Sequence, residues 1–187
     1  LFLSANEDDV REAIDMGFAA GHVVGRAQPD DGDTDLRIAF DFDGVLADDS
    51  AERVFQSEGL DGYQESESAL AEVPLSRGPM ADFLEKINRI QGIEESKRLD
   101  DPSGYRRRVH VAVVTARSAP AHERAINSIR QWGLRVNDAF FLGGIDKGPI
   151  LEVLRPHIFF DDQRRHVEGA ALSTPSVHIP FGAINRQ

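Results

Sequence analysis

Two aspartates two positions apart, Asp41 and Asp43, follow a short β-prone apolar run at 37–40 in the stretch RIAFDFDGVLADDS. Residues i and i+2 of a strand face the same side, so both carboxylates address one pocket while Phe42 packs the other way. An apolar run that stops abruptly in acids, a glycine and a loop is typical of a buried parallel strand delivering side chains to a site at its carboxyl edge. Two acids on one face repel each other unless a cation sits between them. With oxygen ligands the usual answer is a hard ion, Mg²⁺ above all. Taken alone, D-x-D-G is also a common turn composition, and a surface turn would account for it without any chemistry.

Further polar groups occupy comparable places. Thr115 ends the apolar β-branched run 109–114, Lys147 stands at a helix start, and Asp161 with Asp162 ends the run 158–160. In an open parallel sheet the carboxyl ends of the strands line one edge, so these groups converge on Asp41 and Asp43. Each has a plainer role by itself: Thr115 as a helix cap, Lys147 as a solvated lysine, Asp161 and Asp162 as a loop. Arg117 suits a phosphate or base contact, or an ion pair with the abundant acids. Their joint occurrence in this order is what singles them out.

The elements that would position them alternate strictly after residue 108: strand 109–114, helix 123–132, strand 139–142, helix 149–154, strand 158–160, helix 164–172, strand 177–179. Between the first core strand and residue 107 the chain reads as helical, with helices at 51–56, 67–72 and 80–90 and a polar return at 91–108. An all-helical insert at about 47–107 is expected to act as a lid, and its aromatic residues Phe55, Tyr63 and Phe83 are candidates to stack on a base or sugar. The fold class is therefore α/β, a three-layer, open and mostly parallel Rossmann-like sheet with a small helical cap. Residues 1–35 form a strand, helix, strand unit and a polar linker (27–35) ahead of a catalytic core at 36–187. A shift of 157 positions lays that first unit onto 158–182 without a gap, which suggests a degenerate internal repeat with Ser4 and Ala5 in the places of Asp161 and Asp162. The first residue is Leu1, and Leu1 to Leu3 reads as a buried strand, so the chain is expected to be a trimmed fragment of a longer protein.

Composition narrows the chemistry. The 187 residues contain no cysteine, which excludes disulfides and thiolate metal sites and makes a reducing cytoplasm the natural setting. The six histidines show no ligand spacing. A net charge of −11 argues against binding nucleic-acid backbones, although one cation and a few basic side chains can still favour a small phosphate ester locally. No apolar run approaches the roughly 20 residues of a membrane span. A homo-oligomer is compatible with all of this.

The order DFDGV, VVTAR, a lysine at a helix start and IFFDD resembles the four-motif signature of the haloacid dehalogenase superfamily of aspartate-nucleophile phosphatases. More narrowly, ERVFQSEGLDGY, PLSRGP, VVTARS, WGL, KGPIL and RPHIFFDDQ resemble the cytosolic 5'-nucleotidase I family, over most of residues 36–170 and again in LFLSANEDDVREAID. Phe42 between the two aspartates is the general superfamily form. The resemblance implies Asp41 as nucleophile, Asp43 as acid and base, and phosphate binding by Thr115, Ala116, Arg117 and Lys147. It implies Mg²⁺ held by Asp41, the Asp43 carbonyl and either Asp161 or Asp162. It also implies hydrolysis of a purine nucleoside 5'-monophosphate such as AMP; the alternatives are another small phosphate ester or a silent nucleotide-binding module.

Overall fold

The computed structural model describes residues 1–25 and 32–185; the expected linker falls largely outside them. In chain order the elements are β1 (Phe2–Ser4), α1 (Glu7–Asp15), β2 (Ala20–Val24), β3 (Leu36–Phe40), α2 (Ser50–Ala69), α3 (Ala81–Asp100) and β4 (Val109–Thr115). They continue with α4 (His122–Gln131), β5 (Asp138–Phe141), α5 (Gly148–Leu154), β6 (Ile158–Asp161), α6 (Arg164–Ala170) and β7 (Ser176–His178). The strands form one sheet in the order β1-β2-β7-β6-β3-β4-β5, parallel throughout except where β2 meets β7. This is the expected open α/β sheet.

Alternation along the strands builds the three layers. Ile38 and Phe40 of β3 pack in one core with Val10 and Ile14 of α1, Leu84 and Ile87 of α3, and Ala125 and Ile129 of α4. Ala39 points the other way, to Phe159, Leu151 of α5 and Ala170 of α6. Phe40 stacks on Phe160 across the sheet at 5.1 Å, and Phe83 meets both rings edge-on at 6.2 and 6.0 Å. Each fully buried phenylalanine contributes roughly 1.5–3 kcal/mol.

The helical insert differs from its sequence reading in three ways. The helices expected at 51–56 and 67–72 correspond to two helical segments of α2 that meet at a non-helical kink at Gly59 (φ 72°, ψ −167°), and the second starts far earlier than 67 and stops at Ala69. Helix α3 runs ten residues past the expected end at 90, through the segment assigned to a polar return. Its polar residues have tertiary partners there: buried Glu94 accepts from the Arg108 and Val109 N–H groups at 2.9 and 3.1 Å, and Gln91 donates to the Val109 carbonyl and to Asn137. The third difference is that α3 is not a separate lid helix, because its Leu84 and Ile87 belong to the main core. The strand at the amino end is also different. Leu1, Phe2 and Leu3 are 55%, 42% and 39% exposed, since β1 is the sheet's outer strand rather than a buried one.

The offset of 157 relates β1-α1-β2 to β6-α6-β7 in geometry as well as in sequence. The N-caps Asn6 and Gln163 have backbone angles of −96°, 111° and −96°, 114°, and Gly25 and Gly182 share positive φ at 87° and 82°. Glu7 and Arg164, equivalent positions under the offset, form an ion pair with each other, and Arg11 also grips Glu7 at 2.7 Å. The Arg164 hydrogen bond is the main cause that holds the Glu7 carboxyl at about 2, below its ordinary 4.5. A depressed acid adds stability above its unfolded value, and that stability is lost as pH falls from about 4.5 through 2. Glu7→Gln should therefore cost about 1 kcal/mol at neutral pH, solvent screening included, with the difference from wild type vanishing across that acid window in urea melts.

Candidate active site

The site is built where β3, β4 and β6 end. Parallel register sets Phe40 beside both Val113 and Phe160, and the Asp41 N–H donates to the Phe160 carbonyl at 2.8 Å, so Asp41 and Asp161 leave the sheet side by side. Lys147, in the turn that opens α5, reaches between them: its Nζ lies 2.9 Å from Asp41 Oδ2 and 2.7 Å from Asp161 Oδ2. All three are almost completely buried. Burial works against the lysine charge, but Asp161 and Asp41 outweigh it and hold its proton affinity above the usual lysine range. Burial pushes Asp41 up to about 6, helped by Asp161 and opposed by Lys147. For Asp161 the balance is reversed: burial raises it, yet Lys147 and His166 together keep it below the usual carboxylate range.

Asp162 is the acid without a compensating partner. It is buried, its Oδ1 has no hydrogen-bond partner among the described residues, and burial with Asp41 and Asp161 nearby raises it well above an ordinary carboxyl. The loop after β3 is pressed onto it. A Cβ at Gly44 (φ 69°) would sit 2.2 Å from Asp162 Oδ2, so only glycine allows the approach. Three buried carboxylates against one lysine, one of them carrying an orphaned oxygen, form a donor set suited to a divalent cation. Asp41, Asp161 and His166 also offer ligand atoms within 4.8 Å of one another.

Thr115 ends β4 fully buried, and its hydroxyl oxygen accepts the Arg117 N–H at 3.3 Å. Ala116 is exposed beside it at the same edge. Arg117 is committed elsewhere: its Nε and one Nη donate to the two oxygens of Asp43 at 2.8 and 2.7 Å, and the other Nη donates to Glu67 and to the Ala121 carbonyl. Of the two roles open to Arg117 in the sequence, its guanidinium occupies the ion pair with acids. Tyr63 and Phe55 of α2 meet edge-on at 6.0 Å, with the Tyr63 ring 5.8 Å from the Arg117 guanidinium. Phe83 packs edge-on against Phe40 and Phe160 in the three-ring core cluster.

Residues 1–186 match the family model described as 5'-nucleotidase. The chain belongs to the 5'-nucleotidase family. Human cytosolic 5'-nucleotidase 1B is 38% identical over 174 residues, which is 91% of this chain and 28% of that protein. The chain thus spans little more than a quarter of the length of the relative it matches. No solved structure gives a match.

Some residues of this 5'-nucleotidase-family site were not visible in its sequence. His166 reaches Asp161 at 3.2 Å from α6, five positions on; a single helical turn after the acid pair was the available signal. Glu67 and Arg124, ion-paired at 2.7 Å, had none, because nothing local distinguishes Glu67 from the other acids of α2. A cavity of about 460 Å³ opens beside Asp162, between Glu52 of α2, Arg165 of α6 and Ile184. The surplus carboxylate yields a test. In chelator, Asp162→Asn should raise the unfolding free energy by roughly 1–3 kcal/mol, because it removes an uncompensated buried acid, while weakening the stabilisation that a divalent cation adds. Thermal melts with and without the cation check both halves.

Proposed function

We propose that this chain is a Mg²⁺-dependent phosphomonoester hydrolase that releases phosphate from nucleoside 5'-monophosphates of the AMP type, working in the cytoplasm on a small-molecule substrate. The observation that supports this most directly is Lys147 clamped between Asp41 and Asp161, with Asp43 held beside them. Asp41, at about 6, is the carboxylate at neutral pH that attack on phosphorus requires. It displaces the nucleoside 5'-oxygen in line: the Asp41 O–P bond forms, the P–O5' bond breaks, and Asp43 gives O5' its proton. Asp43 then takes a proton from water, the water oxygen attacks the same phosphorus, and the Asp41 O–P bond breaks to release inorganic phosphate. Lys147 and the Thr115 hydroxyl bind phosphoryl oxygens, aided by the main chain at Ala116, and Lys147 offsets the charge that builds there. Asp41, Asp161 and Asp162, with the Asp43 carbonyl, would hold the Mg²⁺, which supplies Lewis-acid neutralisation of the phosphoryl charge.

Phosphate release from a nucleoside monophosphate panel, with and without Mg²⁺, tests the reading. Metal-dependent turnover is expected, falling at least about 10³-fold in Asp41→Asn. Nucleotide binding without release would mark a silent module, and faster turnover of sugar phosphates would move the substrate to another class of ester.

A further inference from the structure

The cap helix α2 is a surface helix that buries only Ala51 and Glu67. A glutamate at 1% exposure is an expensive feature on a helix with almost no apolar burial, since a buried carboxylate is tolerated only when fully paired. Glu67 is paired on both oxygens: Oε1 accepts from Arg124 of α4 at 2.7 Å, and Oε2 accepts from Arg117. Arg124 is held in turn by the Val73 carbonyl at 2.9 Å. The Arg117 guanidinium is planar, so fixing one nitrogen fixes the direction of the other two. Those two bind both oxygens of Asp43, a fork that sets the plane as well as the position of the carboxylate. Phe42 lies against the same guanidinium at 5.1 Å and Tyr63 at 5.8 Å. Asp43 itself is the partly exposed member of the chain, at 23%. Its aim toward substrate is therefore decided by Arg117, whose remaining nitrogen is anchored by Glu67 of α2 together with the Ala121 carbonyl.

We propose that Glu67 is a positioning residue for the reaction: through Arg117 it sets where the Asp43 carboxylate points, and so ties the placement of the cap to the group that serves the leaving oxygen. This rests on the reading of Asp43 given under Proposed function. The side chain of Glu67 need not touch substrate, and its effect is confined to steps in which Asp43 takes part.

The test compares two leaving groups. A nucleoside 5'-alkoxide needs the proton from Asp43, whereas p-nitrophenolate departs without one. In a reaction through an aspartyl-phosphate, kcat/KM covers only the steps up to departure of that group, so the ratio of kcat/KM for AMP to that for p-nitrophenyl phosphate isolates the proton-dependent part. The ratio is independent of how much of a variant is folded. Glu67→Gln should lower it about tenfold, and in an Asp43→Asn background the same substitution should change it less than about twofold. A parallel fall for both substrates, or an undiminished effect without Asp43, would make Glu67 a structural brace only and overturn the proposal while the phosphatase reading stood. Wild-type protein that turned over neither substrate would remove that reading and this one together.

Discussion

A single buried ammonium group governs the architecture of the carboxyl edge. Lys147 Nζ lies within 2.9 Å of acids from two adjacent strands, with its own charge and theirs removed from water. The arrangement is tolerable only because each charge compensates another, and it explains why β3, β6 and the start of α5 must meet at this register. Shifting β3 by one residue would turn Asp41 to the opposite face and put Phe42 against the lysine. The same compensation is incomplete by design of the donor set, since Asp162 remains without a partner for Oδ1. Three buried carboxylates against a single lysine leave the site short of positive charge, a balance that a bound cation would restore.

A second ion-pair network stands beside the first and differs in character. Lys147 binds elements of the sheet to one another, whereas Arg117 from the loop after β4 and Arg124 of α4 bind α2 through Glu67. Helix α2 buries little apolar surface of its own, so its docking is electrostatic and directional. Hydrogen-bonded ion pairs of this kind specify one orientation where a greasy interface would permit sliding. The weight of the remaining insert is carried differently, by α3, whose Leu84, Ile87 and the neighbouring ring of Phe83 belong to the main core.

At the far side of the sheet the offset of 157 residues has a physical counterpart. β2 and β7 pair antiparallel, with His22 opposite His178, so the two strand-helix-strand units face each other across that pairing. Glu7 and Arg164 meet there from equivalent positions. His178, buried and pushed below the ordinary histidine range by that burial, bonds to the Asp162 carbonyl and steadies the loop that carries the acids. The unit with Ser4 and Ala5 at the offset positions thus lies next to the unit that carries Asp161 and Asp162.

The amino-acid sequence alone determined the α/β class and placed the strands to within one or two residues, because β-branched runs such as 109–114 and the polar groups that stop them are local signals. It also determined which groups gather at the carboxyl edge, since parallel strands leave no other place for Asp41, Thr115, Lys147 and Asp161. Tertiary structure decided everything that depends on who pairs with whom. Helix α3 extends to Asp100 because Glu94 and Gln91 find backbone partners on β4, and nothing in their polarity announces that. Arg117 turned to Asp43 and Glu67 because folding brought α2 within reach of the fork. Phe83 and Tyr63 look alike in a helical pattern, yet one joins the core and the other lies against a guanidinium. Periodicity reports which residues share a face; only the packed chain supplies the partner that a charge or a ring needs to show its role.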